Sequence, residues 1–473
     1  MKIPHGYVLI PAKEAGMGFR TMIKNDLTIV AESSSSFQKE QVVHQLWFED
    51  SEYIGVPRGY YLSRLKHRGV VGNVKLTNGQ THTKHLPNFS PRDGQEEIIS
   101  ATVKACTEHG YGGCIIEAGV GTGKTYLTLE SARRLGLKTL VIVHTTVLMK
   151  QWIEEIGRFF PEWKIGTIQG NDINVQGKDI CVAMLQSIAL KDDYPEWIYE
   201  EFGTIIVDEV HICAAPEFSK GLPRFTAKYV IGASGTVKRK DKCEKVFINI
   251  IGSVLPFLTT VKTMVPEVYF VDTGFAWKGW NAPLDRQRVK YLTKLVIDPS
   301  RNLMIVRQAV KAAKSGRNVL ILTERVNHAT DLAAMIQQQI IGTQYTVGVM
   351  VGTTKEADRN EAQKASIICA TVQLIGTGFN EPRLDTLIFA SPIQNITQAI
   401  GRITRTHPNK KTPFVLDLVD TNSQTGMVFA MSRVKKYIAN GWKIHGYQCF
   451  PKEFLWKYRD QIQKPNVVLR SQS

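Results

Sequence analysis

The chain has 473 residues, room for about three domains with cores that need no disulfide staples. Lysine and arginine number 59 against 43 acids, a formal charge of +16, and 43% of residues are hydrophobic. That balance excludes a small module, a disordered chain and a fibrous one, and it makes a polyanion the first partner to consider for a folded protein.

Residues 1–88 carry short β-rich runs, GYVLI (6–10) and VVGNVKL (70–76), separated by Gly, Pro, Asn and Ser, which predicts a small β or α+β accessory domain. Its charge, eleven basic residues against seven acids, suits contact with DNA. LPNFSPRDGQ (86–95) punctuates its end, and buried strands then alternate with helices. The runs are GGCIIE (112–117), KTLVIVH (138–144), DICVAM (179–184), GTIIVDE (203–209) and KYVIGAS (228–234). After a weaker stretch over 250–290 the pattern restarts with NVLILTE (318–324), YTVGVMV (345–351), SIICAT (366–371), DTLIFA (385–390) and PFVLDLV (413–419). Continuous apolar strands between helices predict doubly covered parallel sheets. The expected division is 1–88, a first lobe 89–285, a second lobe 286–425 and a basic, aromatic extension 426–473. Seven scattered cysteines without a C-x-x-C pair argue against a zinc ribbon or a disulfide framework, and no run approaches 18 apolar residues. The expectation is a soluble, cytoplasmic protein without a membrane partner.

Chemistry concentrates in CIIEAGVGTGKT, where a strand, a glycine-rich loop and a helix follow one another. Gly119, Gly121 and Gly123 let backbone N–H groups and the helix N-terminus face phosphate oxygens. Lys124 would meet the β and γ phosphates of ATP, and the Thr125 hydroxyl would ligate Mg²⁺. Ala118 stands at the first position of G-x-x-x-x-G-K-[ST]. Downstream, DEVH closes a predicted strand, so that Asp208 can hold Mg²⁺ and Glu209 can activate water in the same crevice. A chance glycine-rich turn or a bare acidic strand end explains either motif alone, but not the pair in this order.

With these motifs the chain resembles the superfamily 2 helicases over Phe89 to Asp420. The resemblance implies two tandem RecA-like lobes that close on ATP and release on hydrolysis, moving along nucleic acid. It places Arg92 and Gln95 of PRDGQ at the adenine. It places Gln151 of LMKQW, and Gln186 and Ser187 of AMLQS, on the nucleic-acid backbone, the last motif lacking its usual Thr. Ser234 and Thr236 of GASGT, with His211, would couple hydrolysis to movement, and Lys238 and Arg239 of VKRKD would contact nucleic acid. In the second lobe Thr371 would touch the backbone and Gly378 would lie in a turn approaching the nucleotide, with Asn380 where Asp is frequent. QAIGRITR would bring Gln398 near the γ phosphate and Arg402 and Arg405 to the transition-state charge. Within the superfamily the small N-terminal domain, the DPSRN run (298–302) and the basic tail are similar to phage recombination helicases of the UvsW kind. That similarity implies an ATP-dependent DNA helicase, 3′ to 5′, that unwinds, branch-migrates or anneals forked and branched DNA through its backbone; a monomer is the expectation, with recombination or replication proteins as further partners.

The alternatives are an RNA helicase, since D-E-x-H occurs in many, a double-stranded DNA translocase without strand separation, and a binding protein with a vestigial ATPase. The intact catalytic set weighs against the last. Of the +16, the tail carries +7 and residues 1–88 carry +4, so the flanks hold most of the excess. Tail lysines Lys435, Lys436 and Lys443 read equally as a solvated face or a binding stripe, and Trp442, Tyr447 and Trp456 as packing or as base-stacking groups.

Overall fold

A computed structural model of the chain describes residues 6–31, 42–82, 86–118, 122–190, 194–215, 219, 221–235, 237–239, 241–255, 264–279, 284–352, 354, 356–375, 381–393, 396–405, 407–446, 450 and 452. The chain divides into two compact units, Met1–Val261 and Lys262–Ser473.

The first unit opens with β1 (Tyr7–Pro11), β2 (Thr28–Val30), β3 (Val43–Gln45), β4 (Phe48–Glu49) and β5 (Tyr53–Pro57), with a helix over Met17–Leu27. These form an antiparallel sheet in the order β1-β5-β4 and a separate β2–β3 ribbon. The run 70–76, expected as a strand, makes only an isolated bridge from Asn73 to Leu9. Leu9 and Asn73 exchange N–H···O bonds at 2.7 and 2.9 Å on the free edge of β1, and Gly72 lies close against Val8, where a Cβ would meet Cγ1 at 2.5 Å.

The main sheet of this unit contains β6 (Gly112–Glu117), β7 (Thr139–Val143), β8 (Ile165–Gln169), β9 (Asp172–Asn174), β10 (Ile180–Met184), β11 (Thr204–Asp208), β12 (Tyr229–Ser234) and β13 (Val254–Leu255). Their order is β13-β6-β12-β11-β7-β10-β8-β9, all parallel except the final hairpin strand. Alternate residues of each strand enter opposite cores. Ile115, Ile205 and Val230 face one side, and Cys114, Ile116, Ile206 and Ile231 the other. The first of these cores is continuous with Val8, Ile10, Ile54 and Tyr60, so residues of the N-terminal segment are built into the face of the sheet. The approach is tight at Gly59, where a Cβ would lie 2.7 Å from the Asn249 carbonyl of the helix Glu244–Ile251.

In the second unit β14 (Glu267–Asp272), β15 (Ala276–Trp277), β16 (Val319–Thr323), β17 (Val347–Met350), β18 (Ile367–Thr371), β19 (Thr386–Phe389), β20 (Phe414–Val419), β21 (Asn422–Ser423) and β22 (Lys443–His445) occur. Seven of them make a parallel sheet ordered β17-β18-β16-β19-β20-β14-β22, and β15 pairs with β21. The sheet thus starts at Glu267, inside the region assigned to the first lobe, and draws β22 from the residues assigned to the tail. β14 gave little signal because EVYFVD alternates, burying Val268 and Phe270 while Tyr269 is exposed.

Two buried carboxylates anchor this unit. Asp417 accepts two bonds from Arg433, at 2.8 and 2.6 Å, and one from the Tyr437 hydroxyl at 2.7 Å. Asp420 accepts from Arg301 Nε at 3.0 Å, from Thr273 at 2.5 Å and from the Tyr291 hydroxyl. DPSRN is the source of much of this order. Asp298 caps the helix Pro299–Lys314, Arg301 also donates to the Ala390 carbonyl at 2.6 Å, and Asn302 Nδ2 donates to Val296 at 2.8 Å. The Asn302 oxygen then accepts from His328 Nε2 at 2.9 Å, while His328 Nδ1 accepts from Thr323 at 2.8 Å. Burial, with Arg301 nearby, drives the His328 imidazolium pKa down to about 3, so the ring is neutral as this pattern needs. Among the described residues no helix is long and apolar enough to cross a membrane.

Because Arg433 is buried, removing its partner leaves a dry, uncompensated charge. Asp417→Ala is expected to destabilise the second unit by about 3–5 kcal/mol, seen as an earlier unfolding transition in urea. An unshifted transition would show that the pair is dispensable.

Candidate active site

The register of the first sheet places the chemistry. Ser234 of β12 is level with Glu117 of β6, and Ala233 with Asp208 of β11, so three polar strand ends stand side by side. The helix Lys124–Leu135 follows β6 and starts at Gly123, whose φ of +83° suits glycine. A Cβ there would also come within 2.7 Å of Gln95 Nε2.

Gln95 is buried and spans the base of the loop. Its Nε2 donates to the Thr122 carbonyl at 2.9 Å, and its Oε1 accepts from the Arg92 N–H at 2.9 Å. The side chain expected at the adenine therefore also holds the end of the phosphate loop, while the Arg92 side chain is exposed. Gly119, Gly121, Thr236 and Gly378 lie outside the described residues, as does the side chain of Gln398.

Lys124 Nζ is 3.7 Å from Glu209 Oε1. Asp208 accepts from the Trp152 indole at 2.8 Å and from the Glu209 N–H at 2.9 Å. Burial and the adjacent Glu209 raise the Asp208 pKa, and the Trp152 bond and Lys124 oppose that rise. For Glu209 burial also raises, but contact with His211 and the Lys124 ammonium outweighs it and holds the carboxyl at about 2. Glu209 takes a left-handed φ of +48°, rare for a side chain of this type and a form of strain concentrated at functional sites. His211 Nδ1 lies 3.0 Å from Ser234 Oγ and 3.3 Å from Glu209 Oε2, joining the two motifs.

The remaining expected contacts diverge. Arg239 is committed within the unit, donating to Asp241 at 2.8 and 2.6 Å and to the His211 carbonyl at 2.6 Å, whereas Lys238 is exposed. Gln186 donates to the His144 carbonyl at 2.9 Å, and the Oε1 atoms of Gln186 and Gln151 are buried without a hydrogen-bond partner. Ser187 accepts from Gly170 N–H at 2.8 Å, pinning the β8–β9 hairpin. Thr371 is buried at the end of β18, and Arg402 and Arg405, half-buried, lie in and just beyond the helix Ile396–Ile403. Trp442 packs on Tyr437 at 5.9 Å between ring centres, while Tyr447 and Trp456 are outside the described residues.

Sequence reasoning missed Trp152, although it stands in LMKQW, and Glu117, which accepts from the Val237 N–H at 2.9 Å and so tethers the chain after GASGT. An indole nitrogen aimed at a carboxylate 56 residues away leaves no local pattern.

The donors fit magnesium and a triphosphate: an ammonium and a helix start with Thr125 for phosphate oxygens, and the half-buried Asp208 carboxylate for a hard cation. Bound there, magnesium would neutralise phosphate charge.

Comparison with known proteins agrees with this chemistry. The ResIII family, described as Type III restriction enzyme, res subunit, matches residues 88–239. A protein of Escherichia phage T5, provisionally named helicase D10, is 30% identical over 342 residues, spanning 70% of this chain and 72% of its own. The chain belongs to the superfamily 2 helicases. This helicase is also similar to a protein of Acanthamoeba polyphaga mimivirus, provisionally named ATP-dependent RNA helicase L396, at 26% identity over 94% of this chain and 88% of that one. Its tandem RecA-like fold is shared with Mycobacterium smegmatis helicase Lhr, solved with ssDNA and AMP-PNP, at a TM-score of 0.52 and 15% identity over 77% of this chain and 51% of that one.

Trp152→Phe removes a bond that favours the charged form of Asp208, so the Asp208 pKa should rise further. The acid limb of the pH profile for ATP turnover is then expected to move to higher pH, and an unmoved limb would contradict the assignment.

Proposed function

We propose that this helicase is an ATP-dependent DNA motor that translocates on, and unwinds or branch-migrates, forked and recombination structures. The observation that carries the ATPase half is the cluster of Lys124, Asp208, Glu209, His211 and Ser234 at aligned strand ends. Glu209 is the carboxylate that orients and deprotonates the attacking water, and Asp208 with Thr125 holds Mg²⁺. His211 and Ser234 pass the state of that site to the strand end beside it. Gln95 and Arg92 serve the adenine, Gln398 of the second unit serves the γ phosphate, and Arg402 and Arg405 supply charge to hydrolysis. Gln151, Gln186, Ser187, Lys238, Arg239 and Thr371 form the nucleic-acid track, the committed Arg239 acting through its hold on the His211 carbonyl.

Support for DNA comes from the flanking basic charge, from the similarity to recombination helicases and from a matched family described for a restriction enzyme. The name of the mimivirus relative favours RNA as the second reading. ATP turnover measured with forked DNA, duplex DNA and RNA separates the two. Forked DNA is expected to stimulate most, and stimulation by RNA alone would overturn the DNA reading.

Lys124→Ala and Glu209→Gln are each expected to lower turnover at least about 100-fold while nucleic-acid binding persists. Retained turnover in either variant would remove that residue from the catalytic set.

A further inference from the structure

Lys410 lies in the second unit, in a turn that follows the helix carrying QAIGRITR. Asn409 adopts a left-handed φ of +59°, a conformation Asn tolerates, and the Lys410 N–H donates to the His407 carbonyl at 3.3 Å. The chain thereby doubles back, and Lys410 Nζ reaches two carbonyls at once, Pro382 and Arg405, each at 2.7 Å. Pro382 ends GTGFNEP, and Arg405 ends QAIGRITR. The neighbouring Thr404 carbonyl accepts from the Met264 N–H at 3.0 Å, so the backbone where the helix ends is fixed from two sides.

We propose that Lys410 is a positioning residue for ATP hydrolysis, its ammonium locking the Pro382 carbonyl to the backbone that aims the Arg405 guanidinium. This rests on the reading that Arg405 supplies charge to the reaction. An ammonium is suited to the task because it has three donors and no acceptor, and because a cation is favoured at a helix C-terminus. Without it both carbonyls lose a donor, and the segments carrying the two motifs lose a shared anchor. A shift of about 1 Å in a charge-stabilising group costs about 100-fold in rate.

Several charged groups face this ammonium. Burial lowers its pKa, Asp385 and Glu381 raise it, and Arg405 lowers it, with a balance at about 8. Asp385 is itself shared with Arg317, at 3.5 Å, and Glu381 with Arg383, at 3.3 Å. As pH rises through about 8 the folded protein loses the charged form of the anchor. An arginine at this position would keep its charge.

The test compares Lys410→Met, Lys410→Arg and Arg405→Ala in the full chain, by ATP turnover with saturating nucleic acid and by thermal unfolding. Lys410→Met is expected to lower kcat about 10- to 100-fold with KM for ATP within about twofold, and Lys410→Arg to recover most of the loss. The wild type should lose turnover above about pH 8, and Lys410→Arg should not. Unchanged kcat in Lys410→Met overturns the proposal if Arg405→Ala is inactive. If Arg405→Ala is itself fully active, the reading of Arg405 falls instead. Should Lys410→Met unfold, the pH profiles of wild type and Lys410→Arg decide, and coincident profiles overturn the proposal.

Discussion

The first unit depends on keeping a carboxylate charged where burial favours the neutral acid. Asp208 closes a central strand between β7 and β12, half-buried, and the proposed role in holding magnesium needs it ionised although burial pushes its pKa up. Two donors and one cation meet that requirement: the Trp152 indole, the Glu209 N–H and Lys124. The strained backbone of Glu209 follows from the same demand. At φ +48° its N–H turns onto Asp208 while its side chain reaches Lys124 and His211. One peptide unit therefore serves both carboxylates.

The second unit solves a related problem with whole ion pairs. Asp417 and Asp420 are satisfied by arginines and tyrosines from helices distant in sequence, and Arg301 extends that order to the Ala390 carbonyl. A buried pair adds little net stability over an apolar substitute but is costly to break. Its effect here is to tie the helices Pro299–Lys314 and Gln424–Ala439 to β20 and the residue that follows it.

Most of the strand plan was legible because parallel strands covered on both faces are continuous apolar runs, as in GGCIIE and SIICAT. β14 and β8 were missed because their alternation and polar residues blur that signal, and VVGNVKL, a run of strand composition, meets the free edge of β1 only at the Asn73–Leu9 bridge. The strand and helix that flank the glycine-rich loop, and DEVH at a strand end, were legible from residues spaced along one chain. Trp152, Glu117 and Lys410 were not, since each acts through a bond to a carboxylate or a backbone group set by folding. Arg239 shows the reverse case, a basic residue read as a nucleic-acid contact whose guanidinium is committed to Asp241 and His211. DPSRN was noticed as a resemblance, and the structure shows its work to be capping and buried pairing.

On the proposed function, hydrolysis at the Asp208–Glu209 site drives the rearrangement of branched DNA. The most direct test is strand displacement on a synthetic four-way junction, with a simple fork and an RNA duplex of the same sequence alongside. ATP-dependent resolution of the junction and fork by the wild type, abolished in Glu209→Gln, is the predicted result. Displacement of the RNA duplex alone, or junction processing that persists in Glu209→Gln, would contradict it.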